Sequence, residues 1–465
     1  MDNRSNQLQQ LFKEGSELLQ ARNAAEALLR FQAAMNIDPF NPTLHLYAGA
    51  ALHDLGQFEE AIANYRLAID SAPEFGEAFN NIGNSLMALG RFKEAYDSFT
   101  RASELLPASP VPRTARATAL QALGKIAEAE ADCRKALITD PTFAAAHWNL
   151  ALNLLLQGRY EEGWREYEWR WQKFDFTSPC RHTDISQWDG SPLNGRTILL
   201  HAEQGFGDAI QFVRYAPLVA QRGGTVVIEC HPQLVQLFKN VEGVRAVVPF
   251  SGSLPPFSCQ SPLLSLPGIF VTTLQSIPSR CPYLFVPANY RQKWWTLLSG
   301  HPMALRVGLV WAGKSYPDPL RSCKLTNFAP LVAAHNVIFY SLQLGAGSEE
   351  VGSPPSGMRL VDLTHQIDDF TDTAALVEQL DLVISIDTAV AHLAGAMGKP
   401  VLLLLPFAPD WRWLLERSDS IWYPTMQILR QKQPGDWGGV IKLASTHLIK
   451  FQGANKKSFE VDPKD

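Results

Sequence analysis

The sequence predicts an α plus α/β protein, in which a helical repeat array is followed by two open α/β halves in series. Prolines at positions 39, 73, 107 and 141 recur at a spacing of 34 residues, which indicates repeated helical units. After about residue 196 the pattern changes to short apolar runs that alternate with amphipathic segments, as in units with a parallel sheet. Hydrophobic residues make up 46% of the 465 positions, which is enough for packed cores throughout.

Charge and composition argue against several classes of protein. The chain has 41 basic and 46 acidic residues, so it has no positive excess with which to bind a nucleic acid. The N-terminus lacks the apolar core of a signal peptide, and the longest late apolar run, 400–406, is too short to span a bilayer. Six scattered cysteines without a C-x-x-C pair favour reduced thiols. We therefore expect a cytoplasmic protein with no integral membrane segment and no nucleic-acid partner.

The repeat is supported by several columns at the same spacing. Small residues open each unit, larger side chains follow sixteen positions later, and alanines flank them. These columns are Gly15, Gly49, Gly83, Ala117 and Ala151; Phe31, Tyr65, Phe99 and Cys133; and Ala27, Ala61, Ala95 and Ala129. Small residues let neighbouring helices approach closely while the larger ones fill the remaining space. Glycines at 56, 90 and 124 mark the turns between the helices of a unit.

These columns resemble the tetratricopeptide repeat (TPR), which implies two antiparallel helices in each unit. We assign repeats to 8–41, 42–75, 76–109 and 110–143, and a degenerate fifth completes an array over 1–172. The resemblance implies a protein or peptide partner on the concave face. Asn80, Asn81 and Asn149 either bind the backbone of such a partner or belong to a solvated polar face.

The α/β region is predicted to contain two halves, at 196–300 and 301–452, after a linker at 173–195 and before a polar tail at 453–465. The predicted helices include DAIQFVRYAPLVAQRG, PQLVQLFKNV and TNFAPLVAAH, and two more at 371–380 and 389–397. Fully apolar strands such as VLLLL imply sheets covered on both faces. Two such sheets in series place a cleft at the carboxyl ends of their strands.

Two strand-to-helix junctions at this cleft are candidates for chemistry. In HAEQGFGDAIQF, Gly205 and Gly207 permit close backbone approach, and Asp208 is either a helix N-cap or a functional carboxylate. In ISIDTAVAHLAG, a helix begins at 387–389, and its exposed amides and hydroxyl suit a diphosphate. His392 lies one turn further on the same face, where it is either functional or a packed helix residue.

The segments WAGKSYPDPLRS, SLQ, DTAVAHLAGAMGKPV and PFAPDWRWLLERSDSIWYPTMQILRQ carry a second resemblance. Together with the repeats they are similar to bacterial TPR proteins with a module like the ADP-heptose:lipopolysaccharide heptosyltransferases. The layout also resembles protein O-linked N-acetylglucosamine transferases. The resemblance implies a GT-B fold, a pair of Rossmann-like domains, with the nucleotide-sugar donor held mainly by the second half.

The heptosyltransferase resemblance also implies site residues. Asp208 matches the general base that accepts the proton of the acceptor hydroxyl, with Gly205 and Gly207 in a phosphate or acceptor loop. The residues implied for donor or nucleotide binding are Lys314, Arg321, Gln343, Asp387, Thr388, Ala389 and His392. For Gln343, the alternatives are a contact to the base or ribose and a solvated loop position. No cofactor or metal is expected, and the chain contains no D-x-D triplet.

The prediction is therefore an inverting glycosyltransferase that moves a sugar from a nucleotide-sugar donor to a glycan or protein acceptor. The first half is short beside the acceptor domain of heptosyltransferases, so the repeats are expected to contribute to binding an acceptor or partner. The alternative is a non-catalytic TPR adaptor with a vestigial glycosyltransferase module.

Overall fold

The computed structural model describes residues 3–298, 304–314 and 319–459, and the chain divides into two compact units, Met1–Leu154 and Leu155–Asp465. We describe each unit by itself. Helix α9 (Ala144–Leu156) contains the division. The array boundary expected at residue 172 stays a prediction, and the segment from 155 to 172 is described with the second unit.

The first unit consists of successive helix pairs with the predicted spacing. The helices are α1 (Asn3–Gln20), α2 (Ala24–Met35), α3 (Pro42–Asp54), α4 (Phe58–Ser71), α5 (Gly76–Ala88), α6 (Phe92–Leu105), α7 (Val111–Ala122) and α8 (Ile126–Thr139). Asn41 caps α3 by accepting the amide of Thr43 at 3.1 Å, and Pro42 occupies the first turn, where it needs no N–H partner. Gly56 ends its helix in the left-handed region at a φ of 76°, as the turn prediction requires.

The glycine and aromatic columns of the repeat pack against each other. A Cβ on Gly83 would lie 2.4 Å from Cε1 of Phe99, and a Cβ on Gly49 would lie 2.5 Å from Cε1 of Tyr65. In the fourth repeat, the opening residue is Ala117, and it shares its core cluster with the smaller Cys133. The side-chain volumes of the two columns are therefore complementary within each repeat.

The second unit contains two parallel sheets. The first, with β1 (Thr197–His201), β2 (Thr225–Cys230), β3 (Val244–Pro249) and β4 (Cys259–Pro262), has the order β3-β2-β1-β4. The second sheet contains β5 (Leu305–Val310), β6 (Val337–Ser341), β7 (Leu360–Asp362), β8 (Leu382–Ile386), β9 (Val401–Leu405) and β10 (Met426–Arg430). Its order is β10-β9-β8-β5-β6-β7. Strands β6, β8 and β9 are buried along their whole length, which confirms that this sheet is covered on both faces.

Helices connect these strands and precede them. They are α10 (Tyr160–Tyr167), α11 (Phe206–Phe212), α12 (Ala216–Ala220), α13 (Val235–Phe238), α14 (Leu266–Ile269), α15 (Ala288–Leu298), α16 (Phe370–Glu378), α17 (Ala389–Ala396) and α18 (Trp437–Phe459). The fold class is therefore as predicted, a TPR-type helical array followed by two Rossmann-like halves. We call the parts built on the first and second sheets the first half and the second half.

Three predicted helices differ in the structure. The segment TNFAPLVAAH forms a 3₁₀-helix over Leu325–Ala333, because Pro330 inside it cannot donate a backbone hydrogen bond. The long helix expected after Gly207 is divided into α11, a 3₁₀ turn at Val213–Tyr215, and α12. PQLVQLFKNV is a 3₁₀ turn at Pro232–Leu234 followed by the four-residue α13. Strands β4 and β10 were not predicted. Of the expected polar tail, residues up to Phe459 continue α18 and 460–465 lie outside the described residues.

The complementary columns make a prediction for stability. Gly83→Ala should destabilise the protein by about 1–3 kcal/mol, because its methyl group overlaps the ring of Phe99. Adding Phe99→Cys recreates the small–small pair of the fourth repeat. The double variant should therefore lose at least about 1 kcal/mol less unfolding free energy than the sum of the losses in the two single variants. Urea unfolding of the full chain, followed by circular dichroism, measures this, with exposed Asn84→Ala as the control. Additive single effects would contradict the complementarity.

Candidate active site

The loop after β1 presents Asp208 at the carboxyl end of the first sheet. Gly205 is the N-cap of α11, so the alternative that Asp208 is the N-cap is wrong. Asp208 occupies the third helical position, and its Oδ2 accepts the amide of Gly205 at 2.9 Å, as in a capping box. This bond fixes the carboxylate over the loop and leaves its other oxygen, Oδ1, directed to the second half.

Arg412 binds Oδ1 of Asp208 from the second half. It lies in a 3₁₀ turn, Trp411–Trp413, after β9. Its guanidinium also donates to Oε1 of Gln211 at 2.6 Å and to Oδ1 of Asp410 at 2.9 Å. Arg412 is buried, and an unpaired buried charge is costly, so the two carboxylates and the amide oxygen together hold it in place. One guanidinium thus joins the loops of the two halves.

The turn from β8 to α17 lies at the carboxyl end of the second sheet. Thr388 is the N-cap, and its Oγ1 lies 3.0 Å from Oγ of Ser385. Asp387, Thr388 and Ala389 are half-buried, which leaves the start of α17 accessible. The first amides of a helix have no acceptor within the helix and lie at its positive end. The turn can therefore bind an anionic group.

Asp387 is held by residues from the loop after β9 and from α17. Nε1 of Trp413 donates to Oδ2 at 2.8 Å, and Nε2 of His392 lies 3.7 Å from Oδ1. Burial, and then the nearby Asp410, raise the pKa of Asp387 to about 6, while Trp413, Arg412 and Arg321 oppose the rise. These surroundings therefore favour the protonated form of Asp387 more than water does.

His392 is packed in the second half. Nδ1 lies 2.8 Å from the hydroxyl of Tyr423, and the ring stacks on Trp413 with centroids 5.3 Å apart. Burial, with the charges of Arg412 and Arg214, holds the pKa of His392 well below its ordinary value, so the imidazole is neutral. These contacts favour the packed-residue alternative, in which His392 positions Trp413 behind Asp387.

The two turns meet where α11 approaches α17. A Cβ on Gly207 would lie 3.0 Å from Cδ2 of His392 and 3.5 Å from Cα of Ala389, so a side chain at this position would crowd the imidazole. Gly205, by contrast, has a φ of −75°, which any residue adopts. The loops that carry Asp208 and Thr388 thus meet at the junction of the two halves, and we call the region between the carboxyl ends of the two sheets the cleft.

Lys314 and Arg321 follow β5, and residues 315–318 between them lie outside the described residues. Arg321 donates to the carbonyl oxygen of Lys314 at 3.1 Å and lies close enough to Asp387 to lower its pKa. Lys314 is exposed and lowers the pKa of His231 in the first half. The loop after β5 therefore brings Arg321 near Asp387 and Lys314 near His231.

Gln343 is buried, so the alternative of a solvated loop position is wrong. Its Oε1 accepts the amides of Trp311 at 3.0 Å and Ala312 at 2.9 Å, and its Nε2 donates to the carbonyl oxygen of Ala346 at 2.7 Å. The side-chain amide therefore holds together the loops that follow β5 and β6. A contact to a base or ribose would have to compete with these bonds.

Sequence reasoning missed the residues that support the two turns. Arg412 stands in the quoted segment PDWRW, but no sequence spacing links it to Asp208. Arg170 is buried and binds Glu203 through two bonds of 3.0 Å, and Gln204 donates to the hydroxyl of Tyr167 at 3.0 Å. The only signal for Arg170 was its position inside an aromatic run. These contacts fix the loop that leads to Asp208.

The described ranges contain neither a membrane-spanning helix nor a cluster of metal ligands. No helix there is long and apolar enough to cross a membrane. Within the same ranges, no three His, Cys, Asp or Glu side chains are grouped to hold a metal ion. The expectation that no metal is needed stays a prediction.

Comparison with known proteins identifies the class of both regions. The chain matches the sequence model of glycosyltransferase family 9 (heptosyltransferase) over residues 334–407. It matches tetratricopeptide-repeat models over 49–90, 76–108 and 114–168. The protein therefore carries tetratricopeptide repeats and a glycosyltransferase family 9 domain, as the resemblance implied.

Among individual relatives, Protein FlbA of Caulobacter vibrioides is 26% identical over 432 residues, which cover 86% of this chain and 72% of FlbA. Among solved structures, Pseudomonas aeruginosa PilF is 22% identical with a TM-score of 0.34, covering 36% of this chain and 77% of PilF. A thermophilic TPR protein of Thermus thermophilus is 21% identical with a TM-score of 0.32, covering 35% and 88% of the two chains.

The buried ion pair between the halves makes a second prediction. Arg412→Gln should destabilise the protein by about 2 kcal/mol, because Asp208 and Asp410 lose a charge-assisted hydrogen bond in a buried setting. The matched control is Arg417→Gln, since Arg417 pairs with Asp419 on the surface and such pairs contribute little. Thermal unfolding of the full-length variants measures the difference. Equal melting temperatures for the two variants would show that Arg412 does not hold the halves together.

Proposed function

We propose that this protein is an inverting glycosyltransferase that moves a sugar from a nucleotide-sugar donor to a glycan or protein acceptor. The observation that supports this best is the convergence of Asp208 and the Asp387–Thr388 turn on one cleft. A carboxylate on one wall and an anion-binding helix start on the other are the two groups that single-step sugar transfer requires.

The donor diphosphate is proposed to bind at the start of α17. Ala389 and the next residue contribute helix amides there, and Thr388 adds a hydroxyl. Arg321 and Lys314 add positive charge from the loop after β5. Negative charge grows on the departing nucleoside diphosphate as the sugar leaves, so these groups stabilise the transition state more than the ground state.

Asp208 is proposed as the general base. The acceptor oxygen attacks the anomeric carbon, the bond from that carbon to the diphosphate oxygen breaks, and the acceptor proton passes to Asp208. Burial raises the pKa of Asp208, which makes it a stronger proton acceptor, while Arg412 and the Gly205 amide keep the ionised form available. No metal ion or cofactor is assigned to this step.

The repeats are proposed to bind a protein or peptide, either the acceptor or a separate partner. The first unit has a groove of about 390 Å³ whose lining includes Tyr47, Asn80 and Asn81. Asn149, in contrast, donates to Oγ1 of Thr118 at 2.9 Å and is engaged within the array. Asn80 and Asn81 are therefore the amides placed to bind an extended backbone.

Substitution of the base tests the mechanism. Asp208→Asn should lower the rate of sugar transfer about 10²–10⁴-fold, because the amide cannot accept the proton. Binding of nucleoside diphosphate should stay within about twofold, since the donor groups are unchanged. Transfer from a panel of labelled nucleotide sugars, and calorimetry with the corresponding diphosphates, measure the two effects, with Asp419→Asn as the control.

The pH dependence of the transfer rate is a further test of Asp208 as the base. The base must be ionised, so transfer should rise with pH through the raised pKa of Asp208. Arg412→Gln should move this rise to higher pH, because the guanidinium lowers the pKa. An unchanged profile in the Arg412 variant, or full activity of Asp208→Asn, would remove Asp208 from the mechanism.

Nucleoside diphosphate binding separates the enzyme from a non-catalytic adaptor. The enzyme should bind at least one of UDP, GDP or ADP, and Lys314→Gln should weaken that binding about tenfold through loss of a charged contact. The matched control is Lys239→Gln, an exposed lysine outside the cleft that bonds to Gln236. Calorimetry on the folded full-length protein gives the answer. No binding of any of the three diphosphates would favour the adaptor.

A further inference from the structure

The segment before β1, predicted only as a linker, lies against the carboxyl edge of the first sheet. Oγ of Ser178 donates to the carbonyl oxygen of Glu203, just after β1. His182 has a φ of 56°, unusual for a residue with a side chain, and its Nε2 lies 2.8 Å from Oε2 of Glu229 near the end of β2. The segment is therefore held in a defined conformation at the cleft.

Arg181 projects from this segment. Its guanidinium lies 3.8 Å from the ring centroid of Phe250 and 3.6 Å from Oε2 of Glu229. Stacking on an aromatic face and a partial ion pair orient the side chain while leaving 28% of it exposed. The guanidinium of Arg181 is thus held in a fixed orientation and remains accessible for hydrogen bonding.

His231 follows β2 directly and lies beside Arg181. Its ring centroid is 4.8 Å from that of Phe206 and 4.7 Å from that of Phe250. Its Nδ1 is buried and has no hydrogen-bond partner among the residues described. Burial, then Arg181, then Lys314 lower the pKa of His231, so both cations lie close to the imidazole.

These three groups come from separate parts of the chain: the linker, the end of β2 and the loop after β5. Lys314 is exposed and lies close enough to His231 to lower the pKa of that imidazole. Glu229 is buried, and its Oε2 contacts both His182 and Arg181. Its single charge is therefore not enough to neutralise Arg181 and Lys314 together. Two cations close to one imidazole, beside aromatic side chains, favour the binding of an anion.

We propose that Arg181, His231 and Lys314 form an oxyanion subsite on the first-half side of the cleft. It takes a phosphate or carboxylate group, with Arg181 as the bidentate donor. The role of this subsite rests on the proposed function, in which a first anion-binding site lies at the start of α17 and this subsite is a second one. The oxyanion belongs either to the donor diphosphate or to an acidic group on the acceptor.

Inorganic phosphate is the probe that tests the subsite. Full-length protein labelled with ¹³C in its histidine rings is titrated with phosphate, and the His231 resonance, assigned with His231→Gln, is followed by NMR. Phosphate should shift this resonance and raise the pKa of His231, because it offsets two neighbouring cations. Arg181→Gln should weaken phosphate binding about tenfold or more, whereas Arg181→Lys should retain part of it.

The matched control is Arg222→Gln, since Arg222 also stacks on a phenylalanine of the first half, with its guanidinium 5.5 Å from the ring of Phe270. This variant should bind phosphate like the wild type. A His231 resonance that does not respond to phosphate, or equal phosphate binding by the Arg181→Gln and Arg222→Gln variants, would overturn the proposal.

Repeating the titration with saturating nucleoside diphosphate identifies the source of the oxyanion. If the diphosphate itself shifts His231 and excludes phosphate, the subsite binds the donor. If phosphate still shifts His231, the subsite serves an acidic acceptor. Absence of any diphosphate binding would instead count against the glycosyltransferase proposal, and the response to phosphate alone would still decide whether the subsite exists.

Discussion

The second unit depends on one buried guanidinium. Arg412 binds Asp208 and Gln211 of the first half and Asp410 of its own loop, and its Cζ lies 4.3 Å from the ring centroid of Trp411. A charge in this position is stable only if all of these partners are present, because each one offsets part of the desolvation cost. The contact therefore joins the halves at the cleft and helps to orient the carboxylate proposed as the base.

The helices α11 and α17 approach closely at Gly207, next to this ion pair. A Cβ on Gly207 would lie 3.0 Å from Cδ2 of His392, so the two helices are in tight contact at this point. His392 in turn stacks on Trp413, which donates to Asp387. The two turns are thus connected through packed side chains, so a change in the separation of the halves would alter both the base and the donor turn. This connection is consistent with a reaction in which two substrates must be aligned.

Local signals in the sequence were enough for the repeats and for the two strand-to-helix turns. A fixed spacing predicted the helix pairs, and a buried strand followed by small and polar residues predicted the turn at Thr388. The prediction of an α-helix around Pro330 was wrong, because the apolar pattern on which it was based carries no information about the missing backbone N–H of proline. Arg412 could not be assigned a role, because its partner Asp208 is 204 positions away and lies in the other half. The same applies to Gln343, whose partners lie on two loops that only the folded sheet brings together.

A carboxyl group at the start of α17 would repel a diphosphate if it stayed ionised, yet Asp387 stands there. Burial reduces this conflict, because it raises the pKa of Asp387 to about 6. Protonating a group one pH unit above its pKa costs about 1.4 kcal/mol, which a single hydrogen bond to a phosphate oxygen offsets. Once protonated, the carboxyl group donates a hydrogen bond, while Trp413 still binds its Oδ2. Burial of Asp387 therefore lowers the cost of binding an anionic group beside this carboxyl group.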